Sequence, residues 1–289
     1  MSLPTRNLAL FCDFENIALG VRDAKYAAVD IKKVLERLLL KGNIVVKKAY
    51  CDWDRYKEFK APMHEAAFEL IEIPHVRMSG KNSADIRLVV DALDLCYTKA
   101  HVDTFVIISG DSDFSPLVSK LRENNKVVIG VGVKSSTSDL LMSNCDEFIF
   151  YDDLIRESEK KLKRGPQPVS RKTSKKKKKK KKTQAKVEST VETEAETESS
   201  AEEQRRQEAF DLVMETIDAL FRDRDESETV WGSMVKQTLK RRRPGFSESY
   251  HGFKSFGQLL EEMQKAELVK LRHDEKSGGY IIESTPSAD

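Results

Sequence analysis

The stretch "DTFVIISGDSDFSPLVSKLRENNKVVIGVGV", residues 103–133, decides the fold. An apolar run, "TFVII", leads into a polar turn with Asp111 and Asp113. A helical segment, "FSPLVSKLRENN", follows, and then a second apolar run, "VVIGVGV". Short continuous Val/Ile/Phe runs read as strands buried on both faces, and a helix between two of them is the crossover that parallel neighbours require. The "GVGV" at 130–133 lacks the spacing and the Lys-Ser/Thr ending of a phosphate loop, so it reads as strand.

The same alternation extends in both directions. "LALFCDF", "NIVVKKAY", "IEIPHV" and "EFIFYD" read as further strands; "VDIKKVLERLLLKG", "KAPMHEAAFEL", "SADIRLVVDALDLCYTKA" and "STSDLLMSNC" read as helices. The fold class expected for residues 1–157 is therefore α/β, with a doubly wound, mainly parallel sheet. Ligands of such a sheet sit at the carboxyl ends of its strands.

Beyond it the composition changes. Residues 160–183 hold fourteen Lys or Arg and no acid, including eight consecutive lysines from Lys175 to Lys182; residues 188–203 hold seven glutamates and no base. Neither block has the apolar residues to bury a core, so 158–205 is expected to be a disordered charged linker. The lysine run is either a solvated spacer or a phosphate-binding arm. Residues 206–289 are globular again. Phe210, Val213, Met214, Ile217 and Leu220 fall on one helical stripe, two more helical patterns follow, and a hairpin is expected to turn at Ser277-Gly278-Gly279. Three helices and a two-stranded wing make a winged helix-turn-helix, which by itself does not establish function.

Several classes are excluded or disfavoured. Lys and Arg total 50 against 48 Asp and Glu, so partners are indicated by the distribution of charge and not by its sum. Cys12, Cys51, Cys96 and Cys145 form no C-x-x-C pair and read as small core residues of a reducing compartment. No apolar window approaches a membrane span and the histidines show no zinc spacing, so a cytoplasmic protein without membrane contact is expected.

The carboxylates carry the chemistry. Asp13 ends the first strand in "FCDFEN", with Glu15 and Asn16 beyond it; Asp111 and Asp113 follow the strand "FVIIS"; Asp85 opens a helix. With the first and fourth strands adjacent, all of these reach one sheet edge. Acids converging there repel unless a cation sits among them, and hard oxygen donors suit Mg²⁺ or Mn²⁺. Each acid also has a plainer reading. Asp111 or Asp113 caps the next helix, and Asp85 is a first-turn acid. Asp13, at a strand end, is expected to have no such local need. Asp91 lies roughly 240° around its helix from Asp85 and is read, with Asp94, as structural or solvent-facing.

"DFEN", "KNSADIRLVVDAL", "FVIISGDSDFSPLVSKLRENNKVVIGVGV" and "STSDLLMSNCDEFIFYD" together resemble the NYN domain, the LabA-like (DUF88) branch of the PIN-like ribonuclease superfamily. The resemblance spans nearly all of residues 6–155. It implies metal-dependent RNA cleavage, with Asp13, Asp85, Asp111 and Asp113 as catalytic acids and metal ligands, Asn16 as the polar strand-end residue, and Mg²⁺ or Mn²⁺ as cofactor. Residues from about 206 to 285, including "VWGSMVKQTLKRRRPGFSESYHGFKSFGQLLEEMQKAELVKL", resemble the OST-HTH or LOTUS domain, which implies RNA binding. Lys236, Lys240, Arg241, Arg242, Arg243 and Lys254 would then contact phosphate, with Tyr250 and Phe253 nearby for stacking. The plainer reading makes Phe246, Phe253 and Phe256 core residues. The partner expected is RNA, single-stranded or structured, with a homodimer as a further option.

Three functions follow: a metal-dependent ribonuclease, a non-catalytic RNA-binding adaptor with a structural cation, and a phosphatase on a similar sheet. The aspartyl-phosphate enzymes of the last class need Asp-x-Asp after the first strand. Here that position reads Asp13-Phe14-Glu15, which counts against them.

Overall fold

A computed structural model describes residues 6–26, 28–73, 83–163, 188–222, 229–274 and 278–284. The lysine run Lys175–Lys182 and Ser277 of the expected hairpin turn lie outside them. The described residues divide into two compact units. One is built from residues up to Arg156 together with Lys240–Phe246; the other comprises Glu157–Leu239 and the residues from Ser247 onward.

The first unit begins with β1 (Arg6–Asp13), α1 (Phe14–Asp23), α2 (Ile31–Leu39), β2 (Gly42–Cys51), α3 (Lys57–Glu65) and β3 (Glu69–Glu72). It continues through α4 (Ser83–Thr98), β4 (Thr104–Ile108), α5 (Ser115–Glu123), β5 (Val127–Gly132), α6 (Asp139–Asn144), β6 (Glu147–Phe150) and α7 (Tyr151–Lys163), the last of which runs on into the second unit. The strand order is β3-β2-β1-β4-β5-β6, and every pairing is parallel. The chain winds outward from β1 to β3, returns to the other side of β1, and winds outward again. β1 and β4 therefore meet at the switch point, where strand ends diverge and leave a crevice.

Period-2 side-chain alternation on the central strands feeds two cores. Leu8, Leu10 and Cys12 of β1 pack with Ile17, Val34 and Met63 from α1, α2 and α3. Ala9 and Phe11 face the opposite way, against Leu88 and Ala92 of α4 and Leu117 and Leu121 of α5. Both faces are covered, which is why these strands read as unbroken apolar runs. All four cysteines are free and buried, as small core residues are. Gly130 lies in β5, and a Cβ there would sit 2.3 Å from the Phe148 ring, so close packing and not phosphate binding accounts for this glycine.

One element differs from the sequence expectation in a way that bears on the site. Helix α1 starts at Phe14 directly after β1, with Phe14, Ile17 and Val21 on its buried face. Asp13 is its N-cap and accepts from the Asn16 N–H. A strand end that runs straight into a helix does have local need of an acid, so Asp13 carries a capping role that the strand-only reading missed.

The second unit contains α8 (Glu188–Arg222), β7 (Val230–Trp231), the start of α9 (Gly232–Arg242), α10 (Phe256–Lys265), β8 (Lys270–His273) and β9 (Tyr280–Ser284). A three-stranded antiparallel sheet, β7-β9-β8, adds one strand to the expected hairpin. Ala209, Val213 and Ile217 of α8 are fully buried, while Phe210, Met214 and Leu220 are half-buried. The stripe is thus centred one position from where apolarity alone sets it. Helix α8 also corrects the linker expectation, because residues 188–205 are helical. Glu and Ala are good helix formers, so an anchored helix extends through an acidic stretch without an apolar face. Phe246, Phe253 and Phe256 are buried. Phe253 packs against Phe210 at 5.8 Å between ring centroids, in the core and not on a stacking surface.

Candidate active site

Register places the first two polar side chains of the site. Cys12 pairs with Ile108, so the next residues along each strand, Asp13 and Ser109, emerge side by side at the carboxyl edge. Ser109 Oγ donates to Asp13 Oδ2 at 3.1 Å and accepts from the Asp111 N–H at 3.2 Å. Asp111 in turn caps a single 3-10 turn, Ser112–Phe114, by accepting from the Asp113 N–H at 3.0 Å. From the α1 side, Asn16 Oδ1 accepts from the Gly110 N–H at 2.9 Å. Two junctions far apart in sequence, β1–α1 and β4–α5, are thus laced into one polar edge. A Cβ on Gly110 would lie 2.5 Å from the Ser136 carbonyl oxygen, so only glycine lets the β4–α5 junction approach the loop between β5 and α6 this closely.

Electrostatics places the other acids nearby. Burial pushes the Asp13 carboxyl up to about 7, and the charge of Asp85 adds to the rise; the hydrogen bonds from Asn16 and Ser109 oppose it. Burial likewise raises Asp85, in the first turn of α4, to about 6, with Asp111 and Asp113 as the next contributors. The acids of three segments therefore feel one another's charge. Glu15 is half-buried and lies 3.5 Å from Arg55 Nη1, and its charge makes a smaller contribution to the rise at Asp85. Asp91 accepts from the Tyr50 hydroxyl at 2.9 Å and pairs with Arg87 and Lys48, which makes it structural.

The four acids do not close into a cage. Among the described residues, no three His, Cys, Asp or Glu side chains gather as a metal-ligand group. Mg²⁺ is commonly held by one or two carboxylates, with waters and substrate phosphates completing its shell. Asp13 and Asp85, raised by burial and then by neighbouring carboxylates, fit that open mode, because a cation relieves the same repulsion a proton does.

Asn16 carries a bracing contact that the sequence did not predict, since its carboxamide oxygen is held by Gly110. Ser109 was missed altogether. Its signal was a hydroxyl residue closing an otherwise apolar strand, next to a glycine. The basic residues are more dispersed. Lys236 pairs with Glu248 at 2.8 Å and Lys240 lies 3.7 Å from Glu147. Arg241, Arg242, Arg243 and Lys254 are exposed.

A parallel α/β sheet with acids at its switch point is the kind of site that phosphoryl-handling enzymes build at this edge. The particular family is shown by comparison: a family model described as the NYN domain matches residues 7–154, and the chain belongs to that family. It is 26% identical over 155 residues to Meiosis regulator and mRNA stability factor 1 of Xenopus tropicalis, a match covering 54% of this chain and 9% of that protein. An uncharacterized protein of Methanocaldococcus jannaschii is 25% identical over 136 residues, covering 47% of this chain and 53% of the relative. The chain thus spans well under two thirds of the length of either relative. The crystal structure of a protein of unknown function from Vibrio parahaemolyticus matches with a TM-score of 0.47 and 26% identity, over 53% of this chain and 98% of that one. Among the described residues no helix is long and apolar enough to cross a membrane.

Proposed function

We propose that the protein is a metal-dependent ribonuclease that hydrolyses phosphodiester bonds at the carboxyl edge of β1 and β4. The observation that carries this reading is the linked Asp13–Ser109–Asp111 edge, with Asp85 and Asp113 close enough to perturb it or be perturbed. Membership of the NYN family and a relative named for mRNA stability support RNA as the substrate.

In this reading Asp13 and Asp113 bind Mg²⁺ or Mn²⁺, while Asp85 and Asp111 are further ligands or hold the attacking water. A divalent ion there supplies charge neutralisation and a more acidic water. Asp13, buried and fixed by two hydrogen bonds, sets the position of the edge. Asp85, whose raised proton affinity keeps it near the protonation midpoint close to neutrality, accepts a proton from the attacking water. Asn16 and Ser109 keep the two loops in register.

Residues 206–289 are proposed to be an OST-HTH module that recruits RNA through Arg241, Arg242, Arg243 and Lys254, assisted by the basic run after residue 160. Lys236 and Lys240 contribute after exchanging their carboxylate partners for phosphate.

Asp113→Asn tests the assignment. It is expected to abolish Mg²⁺- or Mn²⁺-dependent cleavage while leaving RNA binding nearly unchanged; undiminished cutting would sink it. The lack of a closed carboxylate cage among the described residues favours one rival, an RNA-binding adaptor. Persistent RNA binding with no product at any metal concentration, and none lost to EDTA, would decide for the adaptor.

A further inference from the structure

The face just beyond Asp113 is not used by this chemistry. The 3-10 turn Ser112–Phe114 runs directly into α5, and this continuous helical segment sets Ser112, Ser115, Pro116 and Ser119 along one face. With Asp113 and Leu140 they line an open recess of about 490 Å³. Ser115 is 6% exposed, and its Oγ has no hydrogen-bond partner among the described residues. A buried hydroxyl without a partner costs stability, and serine at a helix start has no packing advantage over alanine. A ligand that satisfies this hydroxyl accounts for it.

The lining indicates which ligand. Among the described residues its only charge is the Asp113 carboxylate, with no Lys, Arg or His in the lining, so it is poorly suited to a phosphate. It does suit a neutral group that both donates and accepts, beside a carbon skeleton able to lie on Pro116 and on Leu140, which is 57% exposed. A ribose has both features, and its 2′-hydroxyl is the group that separates RNA from DNA.

We propose that this recess is a ribose-reading subsite, in which Ser115 Oγ donates to the 2′-hydroxyl of a nucleotide beside the scissile bond. The hydroxyl's own proton goes to Asp113 or to a neighbouring serine. The inference rests on RNA being the substrate, and it deepens that reading by assigning the sugar selectivity to Ser115.

The test uses the full chain and a short single-stranded RNA, alongside variants carrying one 2′-deoxy nucleotide at each position in turn. Binding is followed by fluorescence anisotropy in EDTA, and cleavage is followed separately with Mn²⁺. For wild type, one deoxy position is expected to weaken binding by roughly threefold to tenfold, the worth of one hydrogen bond. In Ser115→Ala that penalty disappears, and the melting temperature does not fall because the deleted hydroxyl had no partner. Ser119→Tyr, which blocks the recess from an exposed position, removes the same penalty without touching the buried hydroxyl. An equal deoxy penalty in wild type and Ser115→Ala, or no penalised position at all, overturns the subsite. Absence of cleavage by wild type overturns the nuclease reading alone, because the binding arm requires no turnover.

Discussion

Asp13→Asn probes the site without any substrate. In the fold the Asp13 carboxyl is raised from 3.8 to about 7, first by burial and then by the charge of Asp85. A raised pKa means that the folded state holds the proton more tightly than the unfolded chain does. The stability contributed is therefore fully present below about pH 4 and is lost as pH rises through about 7. At 1.36 kcal/mol per unit, a shift of about three units sets an upper bound of about 4 kcal/mol on the loss. Relaxation and water entry reduce this, and about 2 kcal/mol is a working figure, equivalent to about 4–8 °C in melting temperature for a domain of this size. Asparagine has nearly the same shape, keeps an oxygen to accept from the Asn16 N–H, and does not ionise. In EDTA, wild type is expected to lose stability steeply between about pH 4 and 7 and to level off above that, while Asp13→Asn gives a flatter profile that crosses above it as neutrality is approached. Asp85, raised to about 6 but partly exposed, adds a smaller and more screened slope of the same sign. Millimolar Mg²⁺ or Mn²⁺ then restores wild type at pH 8, since a cation replaces the proton as counter-charge, and leaves Asp13→Asn unmoved. Differential scanning calorimetry of both proteins across pH, with and without metal, reads all of this. Parallel profiles for the two proteins would refute the claim that a buried, mutually repelling carboxylate sits at this edge.

Other consequences separate scaffold from chemistry. Tyr50 is fully buried and donates to Asp91, so Tyr50→Phe is expected to cost about 1–3 kcal/mol in urea unfolding by leaving a half-buried carboxylate short of a partner. The same change is expected to leave the metal dependence of cleavage unaltered, because Asp91 lies outside the edge. Asn16→Ala removes the acceptor for the Gly110 N–H and loosens the two loops. Cleavage is expected to fall roughly tenfold with RNA affinity retained, as for loss of one well-placed hydrogen bond; equal losses in both would place Asn16 in binding instead.

How much was legible follows from range. Strands buried on both faces announce themselves as apolar runs, because every side chain meets a core. That is why the six strands of the sheet and the side-by-side placement of β1 and β4 could be anticipated from 103–133 and its neighbours. Helix α1 escaped notice although Phe14, Ile17 and Val21 have helical spacing. It follows β1 without a break, and "LALFCDF" reads naturally as one strand that absorbs the helix's first residue. The course of α8 through the glutamates was hidden for a different reason. Composition reports whether a segment can bury a core, whereas a helix already anchored by Val213 and Ile217 propagates on propensity alone.

At the site, the sequence by itself determined which acids exist and, through strand order, which edge they share. The tertiary structure decided what each one does there. Asp13 is at once a helix cap, an acceptor from Ser109 and a carboxyl held near neutrality, and only the second and third of these depend on β4 lying beside β1. Asp111 and Asp113 fall in one turn, yet Asp111 is spent on capping it while Asp113 faces a recess of serines. Ser109, Gly110 and Ser115 carried almost no signal, because a small polar residue after a strand is ordinary in isolation. The parts played by Ser109 and Gly110 arise from hydrogen bonds and close approaches across many residues of chain, and the unpartnered Ser115 hydroxyl is set apart only by its burial; all of these exist only once the sheet has assembled.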